Sequence, residues 1–327
     1  MKLPAPAYAL ILAAMSFAPA ILAAPVVTPE PGGNVIELWP GGAPGAERVT
    51  VREELLERAP DGPLRDRLAQ HVTRPVMTLF EPKGDYNGIT LLIVPGGAYT
   101  RVVIDKEGFE SAEWFAERGF AVAVLRYRMP ADGWAAGADA PVHDAMRAMR
   151  LLRDRDVGGV RPTRVGVIGF SAGGHVTARL ITEPQLTYPR RDTHDDRLAR
   201  PDFAVLMYPV IATTGAIAHK GSADQLLAAG VRREDLPRYS PDLNVTAESP
   251  PTILIHAADD TGVVLDNSLA MFAALRKAGV RSALHIFDRG GHGFGMRGVT
   301  GLDVAVWPEL ARSWALSTLV PGEKSRS

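Results

Sequence analysis

Arg164-Val165-Gly166-Val167-Ile168-Gly169-Phe170-Ser171-Ala172-Gly173 is the stretch on which the fold turns. After Arg164 its first half is uncharged and apolar, the pattern of a strand buried on both faces. Its second half reads Gly-x-Ser-x-Gly. A serine at a sharp strand-to-helix turn sits in strained backbone geometry with its hydroxyl clear of the sheet. Small neighbours let strand and helix approach without a side-chain clash. A helix beginning there directs its free N–H groups toward any anion formed near the serine. A glycine-rich turn without chemistry would carry the same letters; the placement between strand and helix favours a nucleophile.

Outward from this turn, short apolar runs alternate with segments of helical period. The strand candidates are Val76–Phe80, Ile89–Val94, Phe120–Tyr127, Val165–Phe170, Phe203–Tyr208, Thr252–His256 and Ala283–Phe287. Val142, Ala145, Met146, Met149 and Leu152 form one helical face, with Arg147, Arg150 and Arg153 turned away, Asp139 ahead and Pro141 in the first turn. Leu265, Leu269, Phe272 and Leu275 form a second stripe, stopped by Gly279; Val304, Trp307, Leu310, Ala311 and Trp314 form a third, with Asp303 as cap. Strands alternating with amphipathic helices give an α/β fold of three layers. Residues 25–75 read as a loop-rich extension in which Arg52 to Arg67 holds a helical turn or two. Residues 183–201 and 209–250 read as insertions over the sheet edge or active face.

The chain has 327 residues, 36 Lys+Arg against 37 Asp+Glu, and no cysteine. Disulfides, thiolate metal sites and a cysteine nucleophile are excluded, and the charge balance carries no nucleic-acid footprint. Met1-Lys2, the apolar run Leu10 to Phe17 and the small-residue exit Ala23-Ala24 read as a signal peptide over residues 1–24. Export to the periplasm or medium is therefore expected, with no stable membrane anchor after cleavage and residues 25–327 as one domain. No His-Glu-x-x-His, dinucleotide fingerprint or P-loop occurs, so neither metal nor cofactor is inferred. Asp192, Asp195 and Asp196 beside His194 read as a solvated loop, since the spacing of a calcium loop is missing.

A serine needs a base. His292 lies in Gly290-Gly291-His292-Gly293-Phe294-Gly295, after the last strand candidate. The base needs an acid to orient it, and Thr252 to Asp260, at the end of a strand candidate, ends in two candidates, Asp259 and Asp260.

Taken together, Val94-Pro95-Gly96-Gly97-Ala98-Tyr99, Gly169 to His175, Arg200 to Phe203 with Tyr208-Pro209-Val210, Pro250-Pro251 with His256 to Asp260, and Gly290 to Phe294 resemble the α/β-hydrolase esterases of bacteria that include acetylxylan esterases and bifunctional feruloyl/acetylxylan esterase domains. The resemblance spans about residues 35–315. It implies the α/β-hydrolase fold, a mostly parallel central sheet with helices on both faces. It places the acid four residues after the strand-end histidine, hence Asp260 counted from His256, although Gly262-Val263-Val264 departs from the family's Val-Pro. It implies Ser171, Asp260 and His292 as catalytic residues and an oxyanion hole of Gly97, Ala98 and Ala172, the first two from the loop matching the His-Gly-Gly-Gly of related lipases.

The implied reaction is hydrolysis of a carboxylic ester through an acyl-enzyme, on a small molecule or oligosaccharide such as an acetylated or feruloylated plant polysaccharide fragment. The competing readings are a serine peptidase of the prolyl-oligopeptidase type, which usually carries a large N-terminal propeller, and a binding protein that kept the fold and lost catalysis. His175 and His256 read as structural. Tyr99 and Trp134 are candidate pocket-lining aromatics, and His219-Lys220-Gly221-Ser222 resembles the same family without an assigned role.

Overall fold

The seven apolar runs are strands of one sheet in the computed structural model, which describes residues 34–154, 160–183 and 188–319. The proposed signal peptide lies outside these residues. In chain order the strands are β1 (Asn34–Glu37), β2 (Glu54–Glu57), β3 (Arg67–Gln70), β4 (Val76–Phe80), β5 (Ile89–Val94), β6 (Val102–Val103), β7 (Ala121–Arg126), β8 (Arg164–Phe170), β9 (Phe203–Met207), β10 (Thr252–Ala257) and β11 (Ser282–Phe287). The main sheet runs β1-β4-β7-β5-β8-β9-β10-β11. β1 and β4 run antiparallel to their neighbours and the rest are parallel. β5, β8, β9 and β10 are buried throughout or nearly so, as their unbroken apolar sequences require.

The helices are α1 (Glu110–Ala116), α2 (Ala140–Leu152), α3 (Ser171–Thr182), α4 (Lys220–Ala228), α5 (Asp266–Lys277) and α6 (Trp307–Ser317). α1 and α6 cover one face through Ala112, Phe115, Trp307, Ala311 and Ala315. α2, α3 and α5 cover the other through Val142, Met149, Val176, Leu180, Met271 and Leu275. This is an α/β-hydrolase fold. No helix among the described residues is long and apolar enough to cross a membrane.

Register sets the site. Val94 pairs with Gly169, so β5 and β8 end level. The chain leaves them for opposite sides of the sheet, which makes their carboxyl ends a topological switch point.

Four local expectations are corrected. Arg52 to Arg67 holds no helical turn; β2 and β3 form an antiparallel pair extended by β6 into a second sheet, because Leu55, Leu68 and Ala69 have a core to face. Arg147 does not face solvent. It is 1% exposed, donating to the Leu38 carbonyl (3.0 Å) and paired with Asp195 (2.9 Å) and Asp192. Asp192 and Asp195 are therefore ion-pair acceptors, and the 188–202 segment lies along the arginine side of α2, where Arg153 also meets Asp202. Asp303 opens a short 3-10 turn, and α6 begins later with no side-chain cap. The start of α2 is as expected, with Asp139 at the N-cap position and Pro141 in the first turn, and the Asp139 carboxylate accepts from Arg179 (2.7 Å).

Candidate active site

β8 delivers Ser171 into a tight turn. The serine has φ +52° in the left-handed region, and α3 begins at that residue. The flanking glycines are there for clearance. A Cβ on Gly173 would lie 2.1 Å from the Val94 carbonyl oxygen, and one on Gly169 would lie 2.3 Å from Thr177 Oγ1.

His292 is carried by the loop after β11, whose Gly291, Gly293 and Gly295 all have positive φ. Its Nε2 lies 2.8 Å from Ser171 Oγ and its Nδ1 lies 2.7 Å from Asp260 Oδ2. A carboxylate can only accept, so Nδ1 carries the proton and Nε2 is free to accept from the serine hydroxyl. The three sequence-predicted residues, from the ends of β8, β10 and β11, thus form one chain of hydrogen bonds.

Asp260 is fully enclosed. Its Oδ1 accepts from Gly262 and Val263 N–H, both at 2.8 Å, and its Oδ2 accepts from His292 and, at 3.2 Å, from His256 Nε2. Burial alone would raise its pKa. The bonds from His256 and His292, the charge of a protonated His292 and the Val263 N–H outweigh burial and hold the carboxyl far below its ordinary value. His256 is itself fixed between Ser268 (2.7 Å) and the Val263 carbonyl (2.9 Å). Asp259 does not reach the imidazole; it accepts from Gly291 N–H at 2.7 Å and braces the histidine loop.

The loop after β5 faces Ser171 closely enough that a Cβ on Gly96 would come within 2.8 Å of the serine Cβ. Gly97 (φ +137°) is confined to glycine, since a Cβ there would lie 2.1 Å from the Arg101 carbonyl oxygen. Ala98 and Tyr99 take φ +56° and +62° despite their side chains. Among the described residues no hydrogen bond starts from the Gly97 or Ala98 N–H. Ala172 is in the first turn of α3, where N–H groups have no intrahelical partner. These three amides can receive a developing oxyanion.

Tyr99 and Trp134 do not line an open pocket; they are 1% and 3% exposed. The Tyr99 hydroxyl donates to His175 Nδ1 at 2.6 Å, and His175 Nε2–H donates to the Tyr239 carbonyl at 2.7 Å. Burial, then the charge of Arg179, pushes His175 down to about 3 against the weaker pull of that carbonyl, so it is neutral. His219 stands at the N-cap of α4, where its ring accepts from Ser222 N–H.

One buried group went unnoticed in the sequence. Glu107 follows the glycine loop in a π-helical turn, Ile104–Phe109, and is 4% exposed. Its Oε2 accepts from Gly96 N–H at 2.6 Å and its Oε1 from the Tyr208 hydroxyl at 3.0 Å. A π turn breaks the 3.6-residue spacing by which a buried face is recognised. A charged triplet, Asp105-Lys106-Glu107, therefore reads as surface.

The BD-FAE family model matches residues 77–275, more than half of the chain. The acetylxylan esterase of Xylanibacter ruminicola is 32% identical over 224 residues, which is 67% of this chain and 43% of that protein. The chain thus spans less than half the length of that curated relative. Among solved structures, the acetyl ester-xyloside bifunctional hydrolase of Caldicellulosiruptor lactoaceticus is 31% identical with a TM-score of 0.67, covering 89% of this chain and 98% of that one. A thermophilic esterase of Thermogutta terrifontis shares the fold at 24% identity and a TM-score of 0.62, covering 76% and 92%. The β8 elbow and the glycine loop both lie inside the matched stretch, and the chain belongs to the BD-FAE family of α/β-hydrolases.

Proposed function

We propose that this protein is a serine carboxylic-ester hydrolase that removes acetyl groups from xylan-derived oligosaccharides. The observation that carries the reading is the 2.8 Å and 2.7 Å sequence from Ser171 to His292 to Asp260 beside unbonded main-chain amides. Ser171 Oγ attacks the ester carbonyl as its proton passes to His292 Nε2. Asp260 holds the Nδ1–H tautomer and stabilises the imidazolium. The Gly97, Ala98 and Ala172 N–H groups receive the negative charge of the tetrahedral intermediate. When that intermediate collapses, the C–O bond to the alcohol breaks and His292 protonates the departing oxygen. Water, deprotonated by the same imidazole, then releases the acid and restores Ser171.

The substrate class is drawn from relatives named for acetylxylan and acetyl-xyloside hydrolysis. Residues 1–24 act as an export signal that places the enzyme where such polymers are found. The test is a set of variants assayed on p-nitrophenyl acetate and on acetyl, butyryl and feruloyl esters of xylo-oligosaccharides. Ser171→Ala lowers kcat by about 10³-fold or more with little change in Tm, and Asp260→Asn costs far more than Asp259→Asn. Acetylated sugars give the highest kcat/KM. Full turnover by Ser171→Ala would end the mechanism, and equal kcat/KM across the panel would end the substrate assignment.

A further inference from the structure

The two halves of the site come from distant segments, and one buried carboxylate touches both. Glu107 Oε2 holds the Gly96 N–H, which fixes the Pro95–Gly96 peptide immediately before Gly97. Glu107 Oε1 holds the Tyr208 hydroxyl, and that oxygen accepts from Gly295 N–H at 3.2 Å. Gly295 belongs to the loop of His292, and the Tyr208 ring meets the imidazole edge-on with centroids 5.2 Å apart. A Cβ on Gly293 would lie 3.8 Å from Glu107 Oε1.

The turn carrying Glu107 is itself anchored on its far side. Asp105 accepts from Arg67 through the backbone N–H (2.6 Å) and the guanidinium (2.7 and 3.0 Å). Gly108 packs so closely on β7 that a Cβ would come within 2.7 Å of Val124 Cγ1. Burying a carboxyl group is costly unless both oxygens are satisfied, and here the donors come one from each half of the site.

We propose that Glu107 is a positioning residue that sets the amide cradle and the histidine loop in register with each other, so that donors and base meet one transition state. It acts through Gly96 and Tyr208 and touches no substrate. The proposal rests on the esterase reading above, but the two fail separately: loss of turnover in Ser171→Ala tests that reading, and the variants below test this one in an enzyme already known to turn over.

Glu107→Ala removes both bonds. Glu107→Gln keeps an acceptor for Gly96 N–H but offers an amide N–H to a tyrosine oxygen that already accepts from Gly295. On p-nitrophenyl acetate, kcat should fall on the order of 100-fold in Glu107→Ala and about 10-fold in Glu107→Gln, because misaligned donors act on the transition state. KM should stay within about threefold. Inhibition by phenylboronic acid, whose tetrahedral adduct on serine places an oxygen in the cradle, should weaken by the same factor as kcat/KM. The proposal is overturned if kcat of Glu107→Gln stays within about twofold of wild type. It is equally overturned if KM rises while kcat holds, or if boronic-acid affinity is unchanged while kcat falls. Should Glu107→Ala not fold, the isosteric Glu107→Gln decides alone.

Discussion

Ser171 holds a left-handed φ of +52°, a conformation that costs an L-residue about 1–2 kcal/mol and glycine little. Alanine keeps the Cβ and the strain while losing the hydroxyl. Ser171→Gly should therefore be more stable than Ser171→Ala by about 0.5–1 kcal/mol, the relief of strain outweighing the extra freedom glycine has in the unfolded chain. Urea midpoints of the two variants check this, and a lower midpoint for the glycine variant would mean that the turn is not strained. Residues of this kind are legible in sequence because the motif is a steric requirement. Gly173 must clear two carbonyls, and only glycine does. Glu107 and Arg147 were not legible, since a charge reads as surface until its partners are known. Those partners lie on other elements, Gly96 and Tyr208 for the one and Asp192 and Asp195 for the other.

Helix α2 carries a fully buried carboxylate, Asp144. Asp144 is enclosed in its middle and accepts from Trp39 Nε1 (2.7 Å), the Arg128 N–H (2.9 Å) and the Arg128 guanidinium (2.8 Å). Both side chains of the pair have no solvent exposure. Asp144→Ala should cost about 3–5 kcal/mol, because it leaves a guanidinium buried and unpaired. Chemical denaturation measures the loss, and a value below about 1 kcal/mol would place water beside Arg128 in the variant. The strands of the main sheet were readable because burial on both faces leaves apolar runs, and β4 and β5 have the bounds their sequences predict. β2 and β3 were not. Each has four residues, and β2 begins and ends in glutamate. At that length an alternating pattern is indistinguishable from a charged helical turn.

For the whole molecule, stability should depend on pH through His175. Its folded pKa is depressed to about 3, against about 6.5 in the unfolded chain. Between those values the unfolded state binds the extra proton, so stability is full above about pH 6.5 and falls as pH drops toward 3. Asp260, whose carboxyl is held low, adds a loss of the same sign only below about pH 3.9. Tm should decline from pH 7 to pH 4. Gln at position 175 can still accept from Tyr99 and donate to the Tyr239 carbonyl without titrating, so His175→Gln should flatten that decline. Parallel curves for the two proteins would remove His175 as the cause.

Residues 34–75 look like a loose leader in sequence, yet Trp39 donates to Asp144, the Leu38 carbonyl receives Arg147, and Arg67 grips Asp105. At the other end Trp307 is fully buried against Phe115 and Phe170. A clone trimmed to residues 77–275, the span of the family-model match, would discard the outermost strand on either side and the imidazole with them. What the ribosome released would be a truncated slab with two raw margins, prone to stick to its copies and unable to move a proton.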